Sequence, residues 1–333
     1  MQPKAPELVT LEEIRAAQKR VAAVAAHTPL TPIERTALAK AGIQLPYRIH
    51  IKREDLQPIG SFKIRGAFNL LAQLPPEELE RGVITYSSGN HAQGVAYGAR
   101  ALGAKAIVVM PVSAPAIKRK ATEAMGAEVV LVGPTSSERR KKAEELAAKY
   151  GYTIVPPYDD ARIIAGAATC GLEIIQDAPG IDAVLTPVGG GGLLSGVCTA
   201  VKAINPKAVV FGVEPELAAD AAASFAQKRV VEITGEETAR TLADGLRTQS
   251  IGALNLQHFL RYADGILTVA EHEIVAAMRI LAKTTGVLPE PSGAVALAAA
   301  LFHPERLSGV HELAVVISGG NVDPKLKEEI LRS

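Results

Sequence analysis

The stretch from Ile51 to Leu70, IKREDLQPIGSFKIRGAFNL, decides how this chain is read. A β-like run ends in the charges of Arg53 to Asp55, a Pro and Gly loop follows, and Ser61 opens a helical pattern with Phe62, Ala67, Leu70 and Leu71 as its apolar positions. Lys63 therefore falls in the first turn of a helix. The positive end of the helix dipole disfavours a second positive charge there, so the amine's pKa is expected to be low, with Arg65 adding to the effect. A neutral amine is a nucleophile, which makes Lys63 a candidate Schiff-base lysine. The bland alternative is a lysine that points into water.

Outward from this segment the pattern is regular. Thr10 and Glu13 form a capping box ahead of a helix with Leu11, Ile14, Ala17, Val21 and Val24 on one side, and TPLTPIERTALAKAG reads as a Pro-marked connector and short helix ended by Gly42. Beyond the lysine helix, strands and helices alternate: VITYSS, HAQGVAYGARALG, AKAIVVMP, a helix from about Pro115 to Met125, then AEVVLVG. A charged helix, Ser136 to Lys149, leads to YTIVPPYDD, and the alternation resumes with RIIAGAATCGLEII, IDAVLTPV, GGLLSGVCTAVKAI and AVVFGVEP. GILTV, EIVAAMRILAKTTG, SGAVALAAALF and LAVVISGG follow. This is βαβ grammar, hence an α/β fold with parallel sheets. The Pro156 and Pro157 pair and the loop near Gly60 are the expected crossings between two lobes.

Composition narrows the function. The 333 residues are 48% hydrophobic, enough to bury a large core or two moderate ones. A formal net charge of +1 recruits neither nucleic acid nor acidic membrane, and 4% aromatics without Trp provide no stacking platform. Cys170 and Cys198, far apart and in apolar helical patterns, read as buried small hydrophobes. The N-terminus lacks the apolar core of a signal peptide and no apolar run reaches membrane-spanning length, so a cytoplasmic protein is expected.

Three loops follow apolar strands and carry chemistry. Gly189 to Gly192 open a helix, leaving successive backbone N–H groups uncovered at its N-terminus, an anion cradle suited to a phosphate. The same strand, glycine loop and helix, followed by a strand ending at Glu214, imitates a dinucleotide site, although Gly190, Gly192 and Gly196 space as GxGxxxG. SSGNHAQG, residues 87 to 94, gathers hydroxyls, an amide and exposed backbone donors at a strand's C-terminal end, where ligand sites of α/β sheets lie. SGGNVD, residues 318 to 323, closes the set.

SFKIRGA resembles the Schiff-base segment of the fold type II pyridoxal-phosphate enzymes related to tryptophan synthase β, in the serine/threonine dehydratase and serine racemase branch. Cysteine and threonine synthases of that fold usually carry Lys-Asp-Arg there, whereas Ile64 follows the lysine here. The resemblance runs from about Thr28 to Asp323. It implies a two-lobed fold with parallel or mixed sheets flanked by helices: residues 1–54 and 156–333 as the large cofactor-binding lobe and 55–155 as the small lobe closing on substrate. It implies pyridoxal phosphate joined to Lys63, its phosphate on Gly189, Gly190, Gly191, Gly192 and the Leu193 backbone, Ser318 on the pyridine nitrogen, Asn90 on the ring hydroxyl and Phe62 against the ring face. Phe62 is equally a core residue on pattern alone. The loop of Ser87, Ser88, Gly89, Asn90 and His91 takes the substrate carboxylate, with His91 in no catalytic role. Ser88 matches the hydroxyl that works opposite the lysine in serine racemases.

A neutral hydroxyl on the pyridine nitrogen makes a weaker electron sink than an aspartate would, which suits elimination better than transamination. The activity implied is a dehydratase, or ammonia-lyase, converting L-threonine, L-serine or a related β-hydroxy amino acid to a 2-oxo acid and ammonia. Serine or aspartate racemisation, or a β-hydroxyaspartate or phenylserine substrate, is the nearest alternative. From other classes, a dinucleotide-binding oxidoreductase and a pyridoxal-phosphate-binding protein without turnover stay open. Glu214, the Ala218 carbonyl and Asp220 match positions that hold a divalent cation, Mg²⁺ or Ca²⁺, in racemase-like members; a solvated acidic turn is the alternative. Arg139 matches an arginine near the substrate of those enzymes, or is an exposed helix charge. A homodimer is implied, with neither nucleic acid nor membrane as partner. The chain ends soon after SGGNVD, so the regulatory domain of biosynthetic threonine deaminases and its effector inhibition are not expected. Two departures bear on substrate: Ala167 and Ala168 replace the Gln and Gly of the usual IAGQGT, expected near the cleft, and Tyr158 stands where relatives carry a smaller or phenyl side chain.

Overall fold

The computed structural model describes residues 7–114, 116–133 and 136–332. Pro115, the expected start of one helix, lies outside the described residues, as do the first six. The strands, in chain order, are Leu30–Pro32 (β1), Arg48–Arg53 (β2), Val83–Thr85 (β3), Ala106–Pro111 (β4), Glu128–Val132 (β5), Thr153–Ile154 (β6), Ala183–Pro187 (β7), Val209–Pro215 (β8), Gly265–Val269 (β9) and Glu312–Ile317 (β10). They form a six-stranded sheet in the order β1-β2-β10-β7-β8-β9 and a four-stranded sheet in the order β5-β4-β3-β6. All pairs are parallel except β1 with β2.

Both faces of the larger sheet are covered, which is why LAVVI is a continuous apolar run rather than an alternating one. Leu313, Val315 and Ile317 pack into a core that includes the helix Pro291–Phe302, while Ala314 and Val316 face the helices Ala161–Asp177 and Gly192–Ile204. The helix Pro291–Phe302 is buried from Pro291 through Leu301, consistent with its apolar residues all round. The central strand β4, AIVVMP, is likewise wholly buried in the smaller sheet.

The expected connector TPLTPIERTALAKAG contains β1, an edge strand pairing Thr31 with Ile51 and Pro32 with His50. Edge position explains the correction, because a proline is tolerated only where no ladder N–H is required. The capping box of Thr10 with Glu13 is present, and Gly42 takes a left-handed φ of 82° after the helix Arg35–Lys40. Among the described residues, no helix is long and apolar enough to cross a membrane.

The helix Ala161–Asp177 is the spacer between the two halves of the site. A Cβ on Gly166 would lie 2.4 Å from the Arg65 carbonyl oxygen in the lysine helix, Lys63–Leu71. A Cβ on Gly196 would lie 2.4 Å from the Ala168 nitrogen, and one on Gly171 would lie 2.8 Å from Val197 Cα. Small residues thus let three helices touch at the backbone, and the thickness of the middle one sets how far Lys63 stands from the glycine turn. Ala167 and Ala168 are 1% and 0% exposed inside this packing, so the expectation that they border the cleft is corrected. They are helix-packing residues; a glutamine at 167 would need a buried partner for its amide.

Candidate active site

Lys63 is the first residue of its helix, as its sequence position predicts, and follows Phe62 as N-cap. The Phe62 N–H donates to the Ser318 carbonyl at 3.1 Å and the Gly320 N–H to the Gly60 carbonyl at 2.9 Å, stitching the lysine turn to the end of β10. Lys63 Nζ donates to the Pro157 carbonyl at 2.9 Å and lies 5.2 Å from the centre of the Phe62 ring. Burial pushes its pKa down to about 8, so roughly a tenth of the amine is neutral at pH 7.

The cause differs from the one expected. Arg65 does not act on Lys63: two residues on, it projects to the far side of the helix and is wholly buried among acids. Its guanidinium donates to both oxygens of Glu54 at 2.8 Å and to both of Glu173 at 2.7 Å, with Thr169 Oγ1 at 3.0 Å. Lys52, also wholly buried, reaches Glu173 at 2.7 Å and the Thr28 carbonyl. Burial alone raises a carboxylate's pKa, but the Arg65 charge and hydrogen bonds, with Thr28 and Lys52, hold Glu54 below its usual range. The cluster joins β2, the lysine helix and the helix Ala161–Asp177.

The glycine turn behaves as a cradle. Gly191 is the N-cap of Gly192–Ile204 with φ of 101°, a conformation that costs an L-residue about 1–2 kcal/mol. A Cβ on Gly190 would lie 2.0 Å from the Tyr158 ring, and one on Gly191 would lie 2.8 Å from Asn255 Cβ. The turn is therefore tightly packed against Tyr158 and Asn255, and the N–H groups at this helix N-terminus have no intrahelical partner. Tyr158 donates from its hydroxyl to the Ser250 carbonyl at 3.3 Å, and burial pushes its pKa up to about 12. Gly190→Ala and Gly191→Ala are each expected to weaken phosphate-dependent cofactor binding by about ten-fold or more, read by equilibrium dialysis. Unchanged affinity in both would show that the turn carries no phosphate.

Phe62, Lys63, Tyr158, Gly189 to Leu193 and Ser318 line one solvent-open cleft of about 360 Å³, with Pro187, Gly245 and Leu246 completing it. A larger groove, about 580 Å³, lies elsewhere between Glu13, Arg20, Asn69 and Arg162 and contains none of the predicted groups.

The loop of Ser87, Ser88 and Gly89 leads into the helix Asn90–Ala101, which packs on the lysine turn: a Cβ on Gly94 would lie 3.1 Å from the Lys63 carbonyl oxygen. His91 is buried, with Nε2 3.2 Å from the Val155 carbonyl, and burial together with the Lys63 charge pushes its pKa down to about 3. It is a neutral, satisfied loop histidine. Asn90 Nδ2 donates to Glu290 Oε1 at 2.6 Å, and Asn90 Oδ1 accepts from Asn321 Nδ2 at 2.8 Å. Glu290 was not a candidate on sequence; its only signal is a charge set between Pro289 and Pro291 at a helix start.

Glu214 corrects the dinucleotide reading. It is wholly buried and accepts from the Ala221 and Ala222 backbone N–H groups at 3.1 and 2.8 Å, so it cannot meet a ribose. Burial and the Asp220 charge raise its pKa well above the usual range, and burial raises that of Asp220 to about 7. Both Asp220 carboxylate oxygens are buried without a well-formed hydrogen bond, and Ala218 is buried beside them in sequence. Among the described residues no group of three or more His, Cys, Asp or Glu could hold a metal ion, so any cation here would need carbonyl and water ligands. Arg139 is half-buried, which lowers its pKa. Cys170 and Cys198 are free and buried, with thiol pKa values raised by burial.

The family model described as "Pyridoxal-phosphate dependent enzyme" matches residues 9–319. The chain is 39% identical over 282 residues to the L-threo-3-hydroxyaspartate ammonia-lyase of Saccharomyces cerevisiae, covering 85% of each. It is 36% identical over 316 residues to the serine racemase of Schizosaccharomyces pombe, covering 95% of each. The crystal structure of the T.th. threonine deaminase superposes with a TM-score of 0.87 at 43% identity, over 94% of this chain and 99% of that one. A family match over nearly the whole chain coincides with a half-buried, low-pKa lysine and a glycine turn in one cleft, and the chain belongs to the pyridoxal-phosphate dependent enzymes.

Proposed function

We propose that this protein is an ammonia-lyase acting on a β-hydroxy amino acid, with L-threonine, L-serine and L-threo-3-hydroxyaspartate as the substrate class. The observation that supports it best is the cleft itself, which a lysine with pKa near 8, a tightly packed glycine turn and a neutral serine, Ser318, line together. The relatives named above act on substrates of this class by name. Pyridoxal phosphate fits: the turn at Gly190 and Gly191 has no room for a Cβ and presents helix N-terminal N–H groups, and the amine in the same cleft is the nucleophile an aldehyde needs.

When bound, that group supplies an aldehyde for the substrate amine and a conjugated ring that accepts electron density from Cα. Gly189, Gly190, Gly191, Gly192 and the Leu193 backbone would hold the phosphate, with Phe62 against the ring and Asn90 for its hydroxyl. The Ser318 hydroxyl would serve the pyridine nitrogen without contributing charge. Ser87, Ser88, Gly89, Asn90 and His91 supply the donors for the substrate carboxylate. Lys63 would take the α-proton as a general base, helped by its lowered pKa. The smaller sheet, with residues 55–155, forms the lobe that closes over substrate and excludes water.

A divalent cation at Glu214, the Ala218 carbonyl and Asp220 belongs to the same reading. The orphaned Asp220 oxygens beside a second buried carboxylate fit a hard cation, which would relieve their mutual repulsion and brace the segment after β8. Millimolar Mg²⁺ or Ca²⁺ is expected to raise the melting temperature, and Asp220→Asn to remove that shift. No shift with either ion would leave this an ion-free acidic pair. A cytoplasmic homodimer completes the reading, with sedimentation as its check.

The deciding assay is a spectral titration of the loaded enzyme with L-serine, L-threonine and L-threo-3-hydroxyaspartate, with 2-oxo acid measured in parallel. Spectral change without 2-oxo acid from all three would sink the lyase reading. A second reading, racemisation, draws on the serine racemase relative and on Ser88 in the substrate loop. D-serine formed from L-serine faster than pyruvate would favour it.

A further inference from the structure

Glu290 is the N-cap of the helix Pro291–Phe302 and is only 5% exposed. Its Oε1 accepts from Asn90 Nδ2 at 2.6 Å, while Asn321 Nδ2, which also donates to the Ile59 carbonyl at 2.9 Å, serves Asn90 Oδ1 at 2.8 Å. A Cβ on Gly319 would lie 2.4 Å from Glu290 Oε1 and 3.2 Å from Asn90 Nδ2, so this corner is packed directly beyond Ser318. These two partners orient the Asn90 amide, one by accepting and one by donating.

We infer that Glu290 is a positioning residue for the cofactor ring, its ionised carboxylate holding the Asn90 amide so that its second N–H is left for the ring oxygen, and its protonation weakening that hold. The inference rests on the placement of Asn90 at the ring hydroxyl proposed above. An ionised carboxylate only accepts, and so selects the amide nitrogen. A carboxylic acid also donates, and so tolerates the amide oxygen in the same place. The proton is exchangeable at neutral pH. Burial raises the Glu290 pKa to about 7 and the Asp244 charge adds to it, against the Asn90 N–H, the Lys118 ammonium and the Asn321 backbone N–H. Asp244, from the turn Asp244–Leu246, and Lys118, from the helix Ala116–Ala124, are the charges acting on Glu290, and they pair with each other. Gly319 and Asn321, which approach from beyond β10, carry none. The Glu290 restraint on Asn90 is thus strong above about pH 7 and weak below it, while the Asn321 donation to Asn90 Oδ1 persists throughout.

The test uses 4-deoxypyridoxine 5′-phosphate, which lacks the aldehyde and cannot join Lys63, bound to the full chain stripped of cofactor. The ratio of wild-type to Glu290→Gln affinity cancels the ligand's own titrations. That ratio is expected to rise by about five-fold between pH 5.5 and pH 8.5, and to stay flat when both carry Asn90→Ala. A flat ratio with Asn90 present overturns the inference. If Asn90→Ala binds the analogue as tightly as wild type at pH 8.5, the placement of Asn90 fails and the inference falls with it; if Asn90→Ala weakens binding while the ratio stays flat, only the inference fails. In the cofactor-free chain, the Asn90 side-chain amide signal is expected to shift with the Glu290 carboxylate, and an Asn90 signal that ignores that titration also overturns it.

Discussion

Lys63→Ala is expected to abolish 2-oxo acid formation, with a loss beyond about 10⁴-fold, because in the proposed function one amine has two duties, covalent anchor and general base. The glycine turn lies more than a hundred residues away on another helix and stays intact, so the variant should still hold cofactor through its phosphate, but without a covalent link. Borohydride reduction and peptide mapping check this directly: the wild-type adduct maps to Lys63 and the variant has none. Turnover in Lys63→Ala within ten-fold of wild type would remove the mechanism. A pH experiment tests the electrostatics separately. The folded amine has a pKa of about 8, below the roughly 10.4 of an unfolded lysine, so between those values the unfolded chain binds the extra proton. Stability of the cofactor-free chain therefore gains a contribution from Lys63 as pH rises through that window, and Lys63→Met is expected to lose that slope.

Arg65→Met should cost about 3–5 kcal/mol of unfolding free energy, a large effect because it leaves Glu54 as a buried charge with no ion-pair partner and Glu173 with Lys52 alone. The guanidinium is wholly buried and every partner is short, so solvent does not soften the loss. Urea denaturation measures it. Adding Glu54→Gln to Arg65→Met is expected to recover part of the loss, since a neutral amide is cheaper to leave in place than an unpaired carboxylate. A loss near zero in the single variant would mean that the cluster rearranges or takes up water. The consequence reaches the site, because the cluster ties the helix that begins at Lys63 to β2 and to the helix Ala161–Asp177.

Several features were legible in the chain because they are local. The first-turn position of Lys63 follows from helical periodicity within a dozen residues, and the glycine cradle from four consecutive glycines after an apolar strand. Continuous apolar runs such as LAVVI identify strands buried on both faces. The short edge strand β1 was hidden by its proline, and Glu290 by having no motif around it.

Alone, the sequence determined the alternation of strands and helices, the lysine turn and the glycine turn, since each depends on hydrogen bonds and side-chain spacing along a short stretch of backbone. Only the tertiary structure decided which charges share a dry interior: Arg65 meets Glu173 across 108 residues, Asn90 meets Glu290 across 200, and Ala167 and Ala168 turn from the cleft into a helix contact. The physical reason is desolvation, whose cost is set by everything packed around a group, and most of that packing comes from elsewhere in the chain.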